Sequence, residues 1–165
     1  MQTIDPVELG RCFDRHAAVL VLLARQWCSS PEDVVQESLL KLSIAKPVPD
    51  NPSAWLFRVV RNAAISAGRS ERRRKGHEQR LCQMQSDWFI HDPSLKMDAD
   101  KAVSVLQQLE TDEREIIISH LWGGLTFEEI AQVVGSSSSS CHRIYARGLE
   151  QMRQSLGEIH ACESK

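Results

Sequence analysis

A polar and basic segment near the end of the chain carries side chains that suit contact with nucleic acid. It includes the end of a run of five serines, Ser136 to Ser140. Hydroxyl, imidazole and guanidinium groups bind phosphate oxygens and base edges in the major groove. A solvated helix face carries the same residue types, so this segment alone leaves both interpretations open. The candidate contact residues are Ser139, Ser140, His142, Arg143 and Arg147.

The residues around the serine run indicate whether it is a linker or a turn. Before it, Thr126 precedes an apolar stripe and Glu129 follows three residues later, which is the spacing of a capping box. Gly135 suits a helix C-cap, where a positive φ carries no steric cost for glycine. After the run, apolar residues recur at helical spacing from Cys141 onward, so a second helix begins around Ser138 to Ser140. A flexible linker needs no caps on both sides, and the pattern predicts a helix-turn-helix.

A second basic segment lies in the middle of the chain. Between Arg58 and Arg80 there are eight Lys or Arg residues and two Glu residues, whereas the whole chain has a formal net charge of −2. Because this segment continues an amphipathic helix, it favours an edge that follows nucleic-acid phosphates over a merely solvated face. Any nucleic-acid surface on this protein is therefore local.

The elements that position these groups are predicted to be helices throughout. Asp5, Ser30 and Asn51 each precede a proline, a pattern in which the side chain caps a backbone N–H and proline occupies the first helical position. Strand signals are weak. We expect three helices up to about Ser70, a linker, and a second helical part from about Asp98. The predicted apolar stripes are Leu9, Phe13, Ala17, Leu20 and Leu23/Ala24; Val34, Val35, Leu39 and Leu42; Leu56, Val59, Val60, Ala63 and Ala67; Ala102, Val105, Leu106 and Leu109; and Ile116, Ile117 and Leu121.

Composition and spacing disfavour several classes of protein. The five cysteines are odd in number and widely spaced, which predicts reduced thiols rather than disulfides or structural zinc. The N-terminus has no apolar segment like that of a signal peptide, and the longest apolar run, Ala17 to Ala24, is too short to span a membrane. We predict no catalytic residue, metal or cofactor, and an enzyme such as a nuclease is disfavoured. The clustered acids Glu110, Asp112, Glu113 and Glu115 instead begin a helix, where the dipole favours negative charge.

Three segments together resemble a known family. They are "PEDVVQESLLKL", "NPSAWLFRVVRNAAIS" followed by arginines, and "LTFEEIAQVVGSSSSSCHRIYARGLEQMR". In order and spacing they are similar to sigma factors of bacterial RNA polymerase, of the extracytoplasmic-function group, which keeps only regions 2 and 4. The resemblance runs from about Phe13 to Leu156. It implies an all-α fold of two small helical domains, with region 2 in residues 1–75, a linker in 76–99 and the region 4 helix-turn-helix in 100–160.

The resemblance also implies a role for each group of candidate residues. The helix from Glu32 to Leu42 would bind the clamp helices in the largest subunit of core RNA polymerase. The loop before Ala54 and the helix after it would contact the −10 promoter element and hold a flipped base of the non-template strand. The second helix of region 4 would enter the major groove of the −35 element through the candidates named first. The polymerase-binding residues would be Asp33, Gln36 and Glu37, and the −10 residues Asn51, Ser53, Trp55, Arg58, Arg61 and Asn62, although Trp55 suits the core equally well.

The protein that the resemblance implies is cytoplasmic and binds core RNA polymerase and promoter DNA without inserting into a membrane. Many relatives are held by an anti-sigma factor, and such a regulator is a partner that the resemblance allows. The chain departs from the family at Ser140-Cys141, where Thr-Val is common, and at Ile144, where many members have arginine, so the −35 sequence stays open. The alternative is a transcriptional regulator that binds an operator as a dimer through the same helix-turn-helix.

Overall fold

The described chain, residues 3–78 and 104–163 of a computed structural model, is built from helices and contains no strand. This confirms the predicted all-α class. The first part consists of α1 (Pro6–Ala24), α2 (Pro31–Ser43) and α3 (Pro52–Glu78). The third helix continues beyond Ser70 through the arginine-rich stretch, so the basic segment extends a helix that begins inside the first part.

The starts of these helices follow from the residues that precede them. The Asp5 carboxylate accepts a hydrogen bond from the backbone N–H of Val7 at 2.7 Å. The side-chain oxygen of Asn51 accepts one from the backbone N–H of Ala54 at 3.0 Å. Ser30 precedes α2 as predicted, but the prediction that its side-chain oxygen accepts a hydrogen bond from a backbone N–H of the helix is wrong. Its backbone, at φ −124° and ψ 63°, lies outside the extended region that N-cap residues adopt.

The buried stripe of α1 differs from the predicted one. Phe13 is 54% exposed, and the prediction that it faces the core is wrong. Helical spacing allows a neighbouring stripe that contains His16, and contacts with α3 select it. The His16 ring meets the fully buried Phe57 ring edge-on, and Nε2 of His16 lies 2.8 Å from Oγ of Ser53. The buried residues of α1 are Cys12, His16, Leu20, Leu23 and Ala24.

The second part consists of helical residues 104–108, α4 (Thr111–Ile117), a π-helical turn (Ile118–Trp122), α5 (Phe127–Val134) and α6 (Ser138–Glu163). Ile116 and Ile117 are buried as predicted, whereas Leu121 is 50% exposed, contrary to the prediction. A π-helical turn is wider than an α-helical one, so the residues within it leave the spacing of the preceding stripe.

The two parts contact each other directly. Helix α3 packs against α5, and α1 packs against the π-helical turn. Within residues 3–78 and 104–163, no helix has the length and apolar character needed to cross a membrane. Predictions for the intervening segment, namely a short helix around Leu81 and a local packing contact for Trp88, Phe89 and Ile90, lie outside the described residues, as does Ala102.

Candidate nucleic-acid interface

The helix-turn-helix is built by hydrogen bonds at its two helix ends. Oγ1 of Thr126 accepts a hydrogen bond from the backbone N–H of Glu129 at 3.2 Å, and the Glu129 carboxylate accepts one from the backbone of Thr126 at 2.8 Å. Gly135 ends α5 at φ 73°, in the left-handed region that glycine adopts without a Cβ clash. Oγ of Ser137 accepts the backbone N–H of Ser140 at 3.2 Å and so caps α6. The predicted capping box, glycine C-cap and serine turn are confirmed.

The start of α6 gathers most of the side chains predicted to contact DNA. Ser139, His142 and Arg143 are exposed and Ser140 is half-buried. Nη2 of Arg143 donates to Oγ of Ser140 at 3.3 Å, and the His142 ring meets the Phe127 ring edge-on with centroids 5.2 Å apart. These contacts hold the polar groups close to the turn while leaving them on the surface. The arrangement suits a helix whose first turns meet base edges.

Arg147 lies further along α6 and is anchored to α4. Its Nε donates at 2.5 Å to the carboxylate of Glu113, which is fully buried, while the Arg147 side chain is itself 60% exposed. The two helices approach closely here, because a Cβ added to Gly148 would lie 2.7 Å from Cδ1 of Ile117. The ion pair therefore joins α6 to α4, and Arg147 supports the fold while remaining on the candidate surface.

An aromatic cluster supports the turn from behind. The His120 ring stacks on Phe127 with centroids 4.4 Å apart and meets Tyr145 edge-on at 4.9 Å. Nδ1 of His120 lies 2.7 Å from the backbone oxygen of Leu125. A carbonyl oxygen only accepts, so this bond requires a proton on Nδ1. The cluster ties the π-helical turn to α5 and α6, and the direction of α6 thus depends on residues outside the helix-turn-helix.

The face of α2 predicted to bind polymerase is open to solvent. Asp33, Gln36 and Glu37 are all exposed. Two exposed apolar side chains follow them in the chain: Leu40 in the last turn of α2 and Ile44 directly after its end, which are 62% and 72% exposed. Exposed aliphatic groups beside carboxylates and an amide form a surface suited to a protein partner.

Three of the six −10 candidates, Asn51, Ser53 and Arg61, form hydrogen bonds with other helices of the protein. Asn51 caps α3 with its side-chain oxygen and donates through Nδ2 to the Glu129 carboxylate of α5 at 2.5 Å. Ser53 is held by His16, whose side chain is 2% exposed. Burial, followed by the positive charge of Arg15, lowers the pKa of His16. The neutral ring therefore fixes Ser53 at the start of α3.

Arg61 is held from both sides. Its guanidinium carbon lies 5.7 Å from the ring centroid of Trp27 in the first part. In the second part, the two carboxylate oxygens of Glu115 accept hydrogen bonds from its Nε and Nη2, the latter at 3.3 Å. Burial raises the pKa of Glu115, which is 2% exposed, and the bond from Arg61 opposes that rise. A guanidinium binds a phosphate with the same two-pronged geometry.

The remaining −10 candidates differ in exposure. Trp55 is partly buried and packs against the core, while Arg58 and Asn62 are exposed. Further along the helix, Arg69 and the basic residues 72–75 are also exposed. Most of the exposed positive charge of α3 therefore lies beyond Arg61, toward the end of the helix.

Three acids, Glu113, Glu115 and Glu129, bind distant polar side chains, a role that the sequence patterns do not predict. Those patterns place Glu113 and Glu115 at the start of a helix and Glu129 in a capping box. Glu113 precedes Ile116 and Ile117 by three and four residues, a spacing that places it on the apolar face and could have revealed its burial. In the described ranges, no group of three or more His, Cys, Asp or Glu side chains could hold a metal ion. Cys12, Cys28 and Cys141 are free thiols.

Two family models match the chain in the order of its two parts. The model described as sigma-70 region 2 matches residues 12–74, and the model described as sigma-70, region 4 matches residues 100–152. Together they match more than two thirds of the chain.

Curated relatives agree with this match. The chain is 32% identical over 108 residues to the RNA polymerase sigma factor CarQ of Myxococcus xanthus. The matched segment covers 64% of this chain and 60% of CarQ. It is 27% identical over 168 aligned positions to the probable ECF RNA polymerase sigma factor SigI of Mycobacterium tuberculosis. This match covers 94% of this chain and 57% of SigI. The match thus spans little more than half the length of each of these relatives.

Two solved structures share the fold. One is the sigma factor RpoE of Bartonella quintana in complex with the anti-sigma factor NepR, with a TM-score of 0.72, 22% identity, and coverage of 92% of this chain and 95% of RpoE. The other is CnrH in complex with the cytosolic domain of CnrY, with a TM-score of 0.60, 22% identity, and coverage of 93% and 90%.

The fold and the candidate interface define a two-part helical protein whose second part presents a helix-turn-helix. The family matches and the curated relatives give this class a name. The chain belongs to the sigma-70 family of RNA polymerase sigma factors, in the extracytoplasmic-function group. These comparisons do not favour a dimeric operator-binding regulator.

Proposed function

We propose that the protein is an alternative sigma factor, which binds core RNA polymerase in the cytoplasm and directs it to promoters without catalysing a reaction of its own. The observation that most supports this is the presence in one chain of region 2, with an exposed acidic and apolar face on α2, and region 4, with an exposed start of α6. An operator-binding regulator would need the second feature only.

In this proposal the surfaces have separate tasks. Asp33, Gln36 and Glu37 bind polymerase, while the start of α3 and the start of α6 contact the −10 and −35 elements. Region 2 then comprises residues 1–75, the linker 76–99 and region 4 100–160. Because both regions act while held on one enzyme, the second contact with DNA becomes intramolecular, and modest individual affinities suffice.

The test separates polymerase binding from promoter binding. We expect Gln36→Ala/Glu37→Ala to abolish binding to purified bacterial core polymerase in a native gel. His142→Ala/Arg143→Ala should bind core normally but give at least about tenfold less transcript from a pool of promoter fragments, since two groups at the start of the recognition helix are lost. Arg153→Ala is the matched control, because Arg153 is an exposed basic residue later on α6.

Two results would contradict the proposal. Equal losses of core binding in both double variants would refute the division of tasks. A folded wild-type protein that redirects core polymerase to no start site, but forms a dimer on duplex DNA, would favour the operator-binding alternative.

A regulatory partner is a further part of the proposal. RpoE is bound to the anti-sigma factor NepR, and CnrH to the cytosolic domain of CnrY. We propose that an anti-sigma factor likewise binds this chain in competition with core polymerase. We expect tagged protein captured from its host to carry this partner. Addition of excess core polymerase to the captured complex should then release the partner. Recovery of polymerase subunits alone would contradict a regulator of this kind.

A further inference from the structure

The contact between the two parts uses groups that the proposed function assigns to promoter DNA. Asn51 and Arg61, both −10 candidates, bind carboxylates that belong to the second part of the chain, Glu129 and Glu115. The partners are separated by 78 and 54 residues in sequence, so neither contact is a local helix feature.

The chemistry of these contacts imitates a nucleic acid. Glu115 receives two hydrogen bonds from the Arg61 fork, as a phosphate would, and Glu129 receives the amide N–H of Asn51, as a base acceptor would. An N–H group that donates to a carboxylate is not available to DNA at the same time. Each contact is therefore mutually exclusive with the −10 contact proposed for the same side chain.

An apolar contact at the same place holds the two parts together. Phe57, one turn before Arg61 on α3, is fully buried. A Cβ added to Gly123 in the second part would lie 2.6 Å from Cζ of the Phe57 ring, so only glycine permits this approach. Separating the parts would expose the apolar Phe57 ring to water and would also break the two polar contacts. Both costs favour the arrangement in which the two parts touch, called here the closed form.

We propose that Glu115 and Glu129 act as an internal substitute for promoter DNA, holding the free protein in a closed form that cannot engage the −10 element. This rests on the proposed function, because it assumes that Asn51 and Arg61 contact DNA. The apparent affinity for DNA then falls in proportion to the fraction of molecules that are open. A partner that separates the two parts, core polymerase above all, raises DNA affinity without adding a contact of its own to DNA.

The test removes the two carboxylates without touching the proposed DNA-binding residues. Glu115→Gln/Glu129→Gln keeps side-chain size, and the glutamine oxygen at position 129 can still cap the backbone N–H of Thr126. Removing negative charge also strengthens DNA binding non-specifically. The matched control is therefore Glu8→Gln/Glu150→Gln, which removes two exposed carboxylates, one from α1 and one from α6.

Two measurements are made on full-length protein in the absence of polymerase. One is the radius of gyration by small-angle X-ray scattering. The other is the affinity for a fluorescein-labelled duplex with a central unpaired bubble, by anisotropy. We expect the Glu115/Glu129 variant to be larger in radius and to bind this probe at least about tenfold more tightly than the control, as expected when a largely closed population opens.

The outcomes separate this inference from the proposed function. An unchanged radius, or a larger radius with affinity equal to that of the control, would overturn it. If the double variant melts below the control by circular dichroism, Glu129→Gln alone is measured, and the same two criteria apply. If wild type and variant both fail to bind core polymerase, the proposed function fails, while the radius still decides whether the two glutamates close the protein.

Discussion

Gly68 and Gly76 lie on the same helix, α3, yet a methyl group would meet different surroundings at each. At Gly68 the added Cβ would overlap the carbonyl group of Trp27, with the carbonyl carbon 2.9 Å away. At Gly76 it would have no atom within 4 Å among the described residues. In a helix interior, Gly→Ala is favourable by about 1 kcal/mol where the methyl group fits. The two glycines therefore form a matched pair that differs in steric contact.

The expected changes have opposite signs. The Trp27 carbonyl is backbone, so it cannot move aside as a flexible side chain can, and overpacking of this kind costs about 1–3 kcal/mol or more. Because the overlap is with backbone, we take the upper end of that range, and after subtracting the gain of about 1 kcal/mol we expect Gly68→Ala to lower the free energy of unfolding by about 2 kcal/mol. Gly76→Ala lies near the end of the helix and should raise it by about 0.5 kcal/mol.

Urea denaturation followed by circular dichroism at the helix band measures both changes. The midpoint should fall for Gly68→Ala and rise slightly for Gly76→Ala, with equal slopes in all three proteins. Trp27 also packs on Arg61, so Gly68→Ala should in addition weaken the contact between the two parts. A Gly68→Ala protein at least as stable as wild type would refute the close approach of α3 to the turn after α1.

Three further predictions concern buried polar groups and a cap. Burial and the neighbouring charge of Arg15 lower the pKa of His16 below its usual 6.5, so the unfolded state binds the proton more tightly. The stabilisation from the neutral His16 ring is complete above pH 6.5 and is lost as the pH falls below it, by at most about 1.4 kcal/mol per pH unit. His16→Gln should remove this pH dependence of the free energy of unfolding, measured by urea titration at several pH values. An unchanged pH dependence would contradict the lowered pKa of His16. Arg147→Ala removes the only cation paired with the buried Glu113 carboxylate in the described residues, which keeps the hydrogen bond from the backbone N–H of Glu110, and should cost about 3 kcal/mol. Glu113→Gln leaves a largely exposed guanidinium and should cost about 1 kcal/mol. Equal midpoint shifts in urea would count against this asymmetry. Thr126→Val removes the cap of α5 and should cost about 1 kcal/mol in thermal unfolding, with Thr126→Ser close to wild type.

Several features could be read from the sequence because their causes are local. The capping box of Thr126 and Glu129, the positive φ of Gly135 and the Ser137 cap each satisfy backbone groups within four residues in the chain. Side-chain types and spacing are enough to predict such bonds. The helix-turn-helix, and the group of residues exposed at the start of α6, follow from them.

Other features were decided by tertiary contacts. Periodicity allowed α1 to bury either Phe13 or His16, and packing against Phe57 of α3 chose His16. The buried acids show more clearly what the sequence does not determine. A carboxylate near a helix start is predicted to interact with the helix dipole whether it faces solvent or a distant arginine. Glu113 and Glu115 meet arginines 34 and 54 residues away in sequence, and only the folded chain brings each pair together. The sequence determined which helices form and where they begin, since backbone hydrogen bonding is settled by near neighbours, whereas the partner of each buried charge depends on how those helices pack.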